Sequence, residues 1–83
     1  MKNKELLKKQ IIYSSMHRGF KEMDLLLGNF VKRYINELKT SDLVDLKNLL
    51  ILEDEIIYNW YFKKKDEIIC QNKVTKLLKN FKL

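Results

Sequence analysis

The chain has 83 residues, 46% of them apolar and 34% charged, with a formal net charge of +6. That is room for one small domain, burying roughly 60% of its unfolded surface; a multidomain enzyme with a deep enclosed active site is excluded. No apolar run approaches the ~20 residues that cross a bilayer, and a single cysteine (Cys70) and a single histidine (His17) build neither a disulfide scaffold nor a zinc site.

There is no proline, and only Gly19 and Gly28 break the backbone pattern, so the expected fold class is all-α. A first helix is predicted over 3–16, where Leu6, Leu7, Ile11, Ile12 and Met16 recur near helical spacing and Lys2, Lys4, Lys8 and Lys9 take the other face. Gly19 reads as its stop, at a backbone angle a side chain would resist. The longest helix is predicted over 20–38, with Phe20, Met23, Leu27, Phe30, Tyr34 and Leu38 in one stripe that Leu26, Val31 and Ile35 widen. Gly28 falls inside it, at a cost of up to ~1 kcal/mol relative to Ala; close helix packing is the expected reason, with a partner approaching the backbone as the second choice. Ser41 reads as the N-cap of a third helix running to about Leu52, with Asp42 and Asp45 in its first turn. Asp54 caps a short fourth helix carrying Ile56, Ile57, Trp60 and Tyr61, which Lys63, Lys64 and Lys65 close. Asp66 caps a last helix, over about 66–81, carrying Ile69, Val74, Leu77, Leu78 and Phe81. Connections this short favour a compact antiparallel bundle of five helices in one domain, 1–83.

Charge is uneven along the chain. Residues 1–22 carry net +4, residues 23–62 net −3 and residues 63–83 net +5. The basic ends, and Lys73, Lys76 and Lys79 on one helix face, suit a nucleic-acid binder. Against that, 15 of the 17 basic residues are lysine and alanine is absent. Such a composition fits an A/T-rich coding bias, and arginine, the usual reader of bases and phosphates, is scarce. The solvated lysine face is the preferred reading, with a generic protein-interaction module as the other alternative. The opening MKNKELLKKQ is neither a secretory signal nor an arginine- and serine-rich transit peptide. The expected compartment is a bacterial cytoplasm, with a processed mitochondrial matrix protein as the second choice. Cys70 is then a reduced, partly buried thiol.

Enzymatic chemistry finds no support. Ser14, Ser15 and His17 are the nearest approach to a nucleophile and its base, but Ser15 and His17 are two residues apart and do not face each other on a helix. No phosphate loop or metal-binding spacing occurs. The cluster that departs from core patterning is His17-Arg18-Gly19-Phe20-Lys21-Glu22-Met23-Asp24, at a predicted helix junction. Arg18 and Glu22 are four apart and can approach each other if one helix runs through both. Glu22 and Asp24 also suit an ordinary helix N-terminus. Residues alone lead to a small helical interaction module.

Arg18-Gly19-Phe20-Lys21-Glu22-Met23-Asp24-Leu25 resembles the Arg-Gly-x-x-Glu-hydrophobic-Asp signature of the SdhE family, also called succinate dehydrogenase assembly factor 2. Tyr13-x-x-x-His17-Arg18-Gly19 before it and Leu25-Leu26-Leu27-Gly28-Asn29-Phe30 after it are similar to the family too. So are Leu38-x-x-Ser41-Asp42 and Leu49-Leu50-x-x-Glu53-Asp54-x-x-x-Tyr58-Asn59-Trp60. The likeness covers about residues 6–62. The chain departs from the family pattern at His17, where a basic residue is common, at Ile51 for an acid and at Glu55 for a proline. The resemblance implies a five-helix bundle and an assembly factor, not an enzyme. Such a factor binds the flavoprotein subunit of succinate dehydrogenase or fumarate reductase and promotes covalent attachment of FAD to one of its histidines. It implies that FAD belongs to that partner, with no cofactor held stably here. It assigns Arg18, Gly19, Glu22 and Asp24 to the partner-binding surface, with His17 as a neighbour. On that assignment Arg18 is expected to donate charge-assisted hydrogen bonds across the interface, and Glu22 or Asp24 to accept from partner groups or hold Arg18 in place. Trp60 matches the family as well, but its place on the apolar side of a short helix reads as core.

Overall fold

The computed structural model describes residues 2–16, 18–65 and 71–82, which form five helices and no strands. In chain order these are α1 (Lys2–Met16), α2 (Lys21–Tyr34), α3 (Thr40–Ile51), α4 (Asp54–Tyr61) and α5 (Lys73–Asn80). The all-α, five-helix architecture read from the sequence is therefore the observed one.

The helix ends differ from expectation in instructive ways. α2 stops at Tyr34 instead of reaching residue 38. Ile35 still donates to the Val31 carbonyl, and Glu37 N–H then bonds the Tyr34 carbonyl at 2.9 Å, a tightened closing turn. Ile35 and Leu38 are nevertheless buried; the apolar stripe reported burial correctly beyond the point where the helix ends. α3 starts at Thr40 with Lys39, not Ser41, at the N-cap. Asp42 reaches back to accept from the Lys39 N–H at 3.4 Å, the acid-to-cap half of a capping box. In α4 the cap position is Glu53, and Asp54 is already helical. Its carboxylate goes elsewhere, as described below. The α4 exit bends at Lys64, whose φ of 57° lies in the left-handed region, and this returns the Lys65 N–H to the Asn59 carbonyl at 3.0 Å.

α5 begins at Lys73, after the expected cap Asp66 and after Ile69 and Cys70, which lie outside the described residues. Its cap is Asn72: Asn72 Oδ1 accepts from the Thr75 N–H and Thr75 Oγ1 accepts from the Asn72 N–H, each at 2.9 Å. This reciprocal pairing satisfies two donors that a helix start would leave bare.

One core joins all five helices. Ile11 comes from α1, Met23, Leu26, Leu27 and Phe30 from α2, Leu43 and Leu46 from α3, Ile57 from α4, and Val74 and Leu78 from α5; all are fully buried. Each such side chain contributes roughly 1.5–3 kcal/mol of burial. α1 packs on α2 and α3, and α5 packs on α3. Phe81, just past α5, sets its ring edge-on to Phe30 at 5.4 Å. Trp60 is half-buried against this core. Gly28 faces the α1 backbone, but a Cβ built there would lie 3.9 Å from the Ser15 carbonyl oxygen, an ordinary contact. The α1–α2 packing therefore leaves room for a methyl group, contrary to the expectation that it demands glycine.

Candidate functional site

Arg18, Gly19, Glu22 and Asp24 lie at one end of the bundle, where α1 ends, α2 begins, α3 ends and α4 begins. A helix C-terminus carries unpaired carbonyls and partial negative charge, and two such ends meet here. Arg18 fills the gap between them. Its Nη1 donates to the Ser14 carbonyl at the end of α1 (3.2 Å) and to the Leu50 carbonyl in α3 (2.8 Å). Its Nη2 donates to the Leu52 carbonyl (3.0 Å) and its Nε to Asp54 Oδ1 (2.6 Å). The Arg18 side chain is only 9% exposed and that of Asp54 16%. The second Asp54 oxygen accepts from the Gly19 N–H at 2.8 Å, and Asp24 Oδ1 accepts from the Arg18 N–H at 2.8 Å.

This geometry revises three expectations. Arg18 precedes α2, so it does not share a helix with Glu22; its carboxylate partner is Asp54, on α4. Its guanidinium faces inward, with four of its five N–H groups engaged within the chain, so it is not disposed to donate across an interface. Gly19 has no positive φ, and a Cβ there would sit 3.5 Å from Asp54 Oδ2, an ordinary contact. Backbone strain is not why glycine stands there.

What the knot presents outward is the segment after Arg18. Gly19, Phe20, Lys21 and Glu22 are exposed, and Asp24 is half-buried by its bond to Arg18. Phe20 leans edge-on against Tyr58 of α4, with ring centroids 5.9 Å apart. Met16 and Leu25, close by in the chain, and Ile51, the last residue of α3, add exposed apolar surface. A shallow groove of about 230 Å³, lined by Met16, Asp24, Leu25, Gly28, Asn29 and Lys32, runs between α1 and α2. His17 lies outside the described residues. Ser15 is buried and donates to the Ile12 carbonyl at 2.8 Å.

Asp54 is the residue that sequence reasoning misplaced. Read by spacing it is a helix cap, and no local pattern links it to Arg18, 36 positions earlier. The available signal was that both stand in segments resembling the same family.

At the other end, Lys73, Lys76 and Lys79 are exposed on α5 as their spacing predicts, with Lys73 Nζ 3.6 Å from Asp42 Oδ2. Lys63 and Lys64 stand over the rings of Tyr58 and Tyr61. Tyr61 donates its hydroxyl to the Phe81 carbonyl, and burial raises its pKa above the ordinary 10.0. Among the described residues no helix is long and apolar enough to cross a membrane.

The described residues thus form a small helical bundle with an exposed loop, held by hydrogen bonds, at one end. The chain belongs to the SdhE or succinate dehydrogenase assembly factor 2 family: the family model described as the flavinator of succinate dehydrogenase matches residues 9–82. Among curated relatives, a mitochondrial succinate dehydrogenase assembly factor 2 from Dictyostelium discoideum is 44% identical over 62 residues, 75% of this chain and 44% of that protein. Its counterpart from Scheffersomyces stipitis is 40% identical over 62 residues, 75% of this chain and 42% of that protein. A bacterial FAD assembly factor SdhE, from Acetobacter pasteurianus, is 29% identical over 55 residues, 66% of this chain and 50% of that protein. The matched stretch thus spans less than half the length of the first two relatives. No solved structure matches the chain.

Proposed function

We propose that this chain is a non-catalytic assembly factor that binds the flavoprotein subunit of succinate dehydrogenase, or of fumarate reductase, and promotes covalent attachment of FAD to it. The observation that carries this reading is the family match across residues 9–82. The geometry supports it, because the Arg-Gly segment is exposed from Gly19 to Glu22 and braced from behind by Arg18 and Asp54. Gly19, Glu22 and Asp24 form the docking surface, to which the sequence also assigns His17, the residue before Arg18 in the chain, and Arg18 shapes it. FAD belongs to the partner. The groove beside the loop, at about 230 Å³, is smaller than the ~300–1,000 Å³ typical of small-molecule sites.

Covalent flavinylation needs a histidine and a flavin carbon held in a reactive arrangement, and orientation alone removes much of such a barrier. A helper that binds one arrangement of the flavoprotein more tightly than the others shifts the population toward it. The absence of a side chain at Gly19 lets the partner backbone come close, and Glu22 accepts hydrogen bonds from it. The relatives include proteins named mitochondrial and a bacterial one; the proposed compartment is the bacterial cytoplasm, with the mitochondrial matrix as the alternative.

Co-expression with a succinate dehydrogenase flavoprotein subunit, in cells lacking any endogenous factor, tests the reading. Covalent flavin is measured as in-gel fluorescence after denaturation. Fluorescence should rise with the wild-type chain and not with Gly19→Arg, whose Cβ the fold accommodates. A folded Gly19→Arg variant with full activity sinks the surface assignment, and no rise with the wild type sinks the function. Salt-sensitive binding to duplex nucleic acid in that case would turn the reading toward the α5 lysines.

A further inference from the structure

Asp54 is the first residue of α4, where an acid ordinarily serves the bare N–H groups of its own helix. Here it makes no cap hydrogen bond; the Ile56 and Ile57 N–H groups bond the Glu53 carbonyl instead. Both Asp54 oxygens are committed to the Arg-Gly segment, Oδ1 to Arg18 Nε at 2.6 Å and Oδ2 to the Gly19 N–H at 2.8 Å. Asp24, on α2, accepts from the Arg18 N–H. Two successive amides of the loop are thus fixed by carboxylates on different helices. Charge-assisted bonds of this length are directional and strong. Without them Gly19, the residue with the most conformational freedom, would let the chain wander before α2 begins. Asp54 itself is 16% exposed, whereas Gly19, Phe20, Lys21 and Glu22 stand in solvent.

We propose that Asp54 is the positioning residue of the docking surface: it does not touch the partner, but holds Gly19 to Glu22 in the conformation the partner reads. The inference rests on the flavoprotein-binding reading above and adds a residue from a separate helix to it. It also separates two tasks that the linear motif runs together. Arg18 and Asp54 set the loop, and Gly19 and Glu22 meet the partner.

The test is titration of the full chain with the purified flavoprotein subunit by calorimetry, at a temperature where circular dichroism shows each variant folded. Asp54→Asn keeps the shape and loses the charge and one acceptor. It should weaken binding about tenfold. Combined with Glu22→Gln it should cost less than the product of the two single effects, because a misplaced Glu22 has no contact left to lose. The Gly19 amide resonance of the free chain should shift in Asp54→Asn, with no partner present. Asp54→Glu, which keeps the charge and misplaces the oxygens, should also weaken binding, and serves if the asparagine variant unfolds. Unchanged affinity in both Asp54 variants, or a fully multiplicative double variant, overturns the positioning role while leaving the docking surface standing if Gly19→Arg still weakens binding. If Glu22→Gln and Gly19→Arg are also without effect, the docking reading fails and this inference falls with it. Should both Asp54 variants unfold, hydrogen exchange of the wild-type Gly19 amide decides: protection supports the bond to Asp54, and exchange at the rate of an open amide overturns it.

Discussion

The two ends of this bundle are held together by different physics. At the Arg18 end, directional hydrogen bonds tie α1, α3 and α4 to a single guanidinium, and a carboxylate completes the knot. At the α5 end, Phe81 packs against Phe30 and Tyr34, Val74 and Leu78 fill the core, and one capping pair starts the helix. Apolar packing tolerates exchange among side chains of similar volume. A knot of paired charges and carbonyls does not, because removing one member leaves the others buried and bare. The end proposed to meet a partner is thus the less forgiving of the two, as suits a surface whose shape is its function.

Breaking that contrast begins with Arg18→Ala, which strands Asp54 and the Ser14, Leu50 and Leu52 carbonyls. It should lower stability by about 3 kcal/mol, and Arg18→Lys should recover little of it, since an ammonium cannot span four acceptors in a fork. Denaturant unfolding followed by circular dichroism measures both. Phe81→Ala, at the opposite end, should lower stability by about 2 kcal/mol, short of the usual 3–5 because its ring is only half-buried; flavinylation by the folded fraction should be intact. Gly28→Ala should raise stability by up to about 1 kcal/mol, because the new methyl group meets only an ordinary contact with Ser15. A melting temperature below that of the wild type would show that α1 must move to admit it. The smallest effect concerns pH. Burial raises the Tyr61 pKa, so above pH 10.0 the unfolded chain loses this proton before the folded one does. Stability should therefore fall as the solution becomes more alkaline than that. Tyr61→Phe should flatten this part of the pH–stability curve relative to the wild type.

How far the sequence could be read follows the same division. Helix number and much of the core were legible, because apolar spacing reports which face is removed from water; Leu6, Ile12, Met16 and Phe20 stand in the same stripes and are nevertheless exposed. Ile35 and Leu38 show the limit of that signal: both are buried, yet they lie in a turn, since burial needs position and not helical geometry. Helix starts were less legible. Ser41 has the chemistry of a cap, but Asp42 reaches back to Lys39 and moves the start earlier. The arginine-glycine motif among acids, on which the proposed site rests, was legible as a sequence pattern. Its internal logic was not, because the partner of Arg18 is set by the meeting of α3 and α4, which no spacing around residue 18 encodes.

The bond from Gly19 to Asp54 also bears on timing. The loop that comes early in the chain takes its shape from a residue 35 positions later, so a nascent or half-folded chain carries the motif without displaying it. Loop closure over that span becomes favourable only once α3 and α4 are in place. If the proposed docking surface is what a flavoprotein recognises, it would act as its own certificate of folding: only finished copies of the chain would be engaged and incomplete ones passed over.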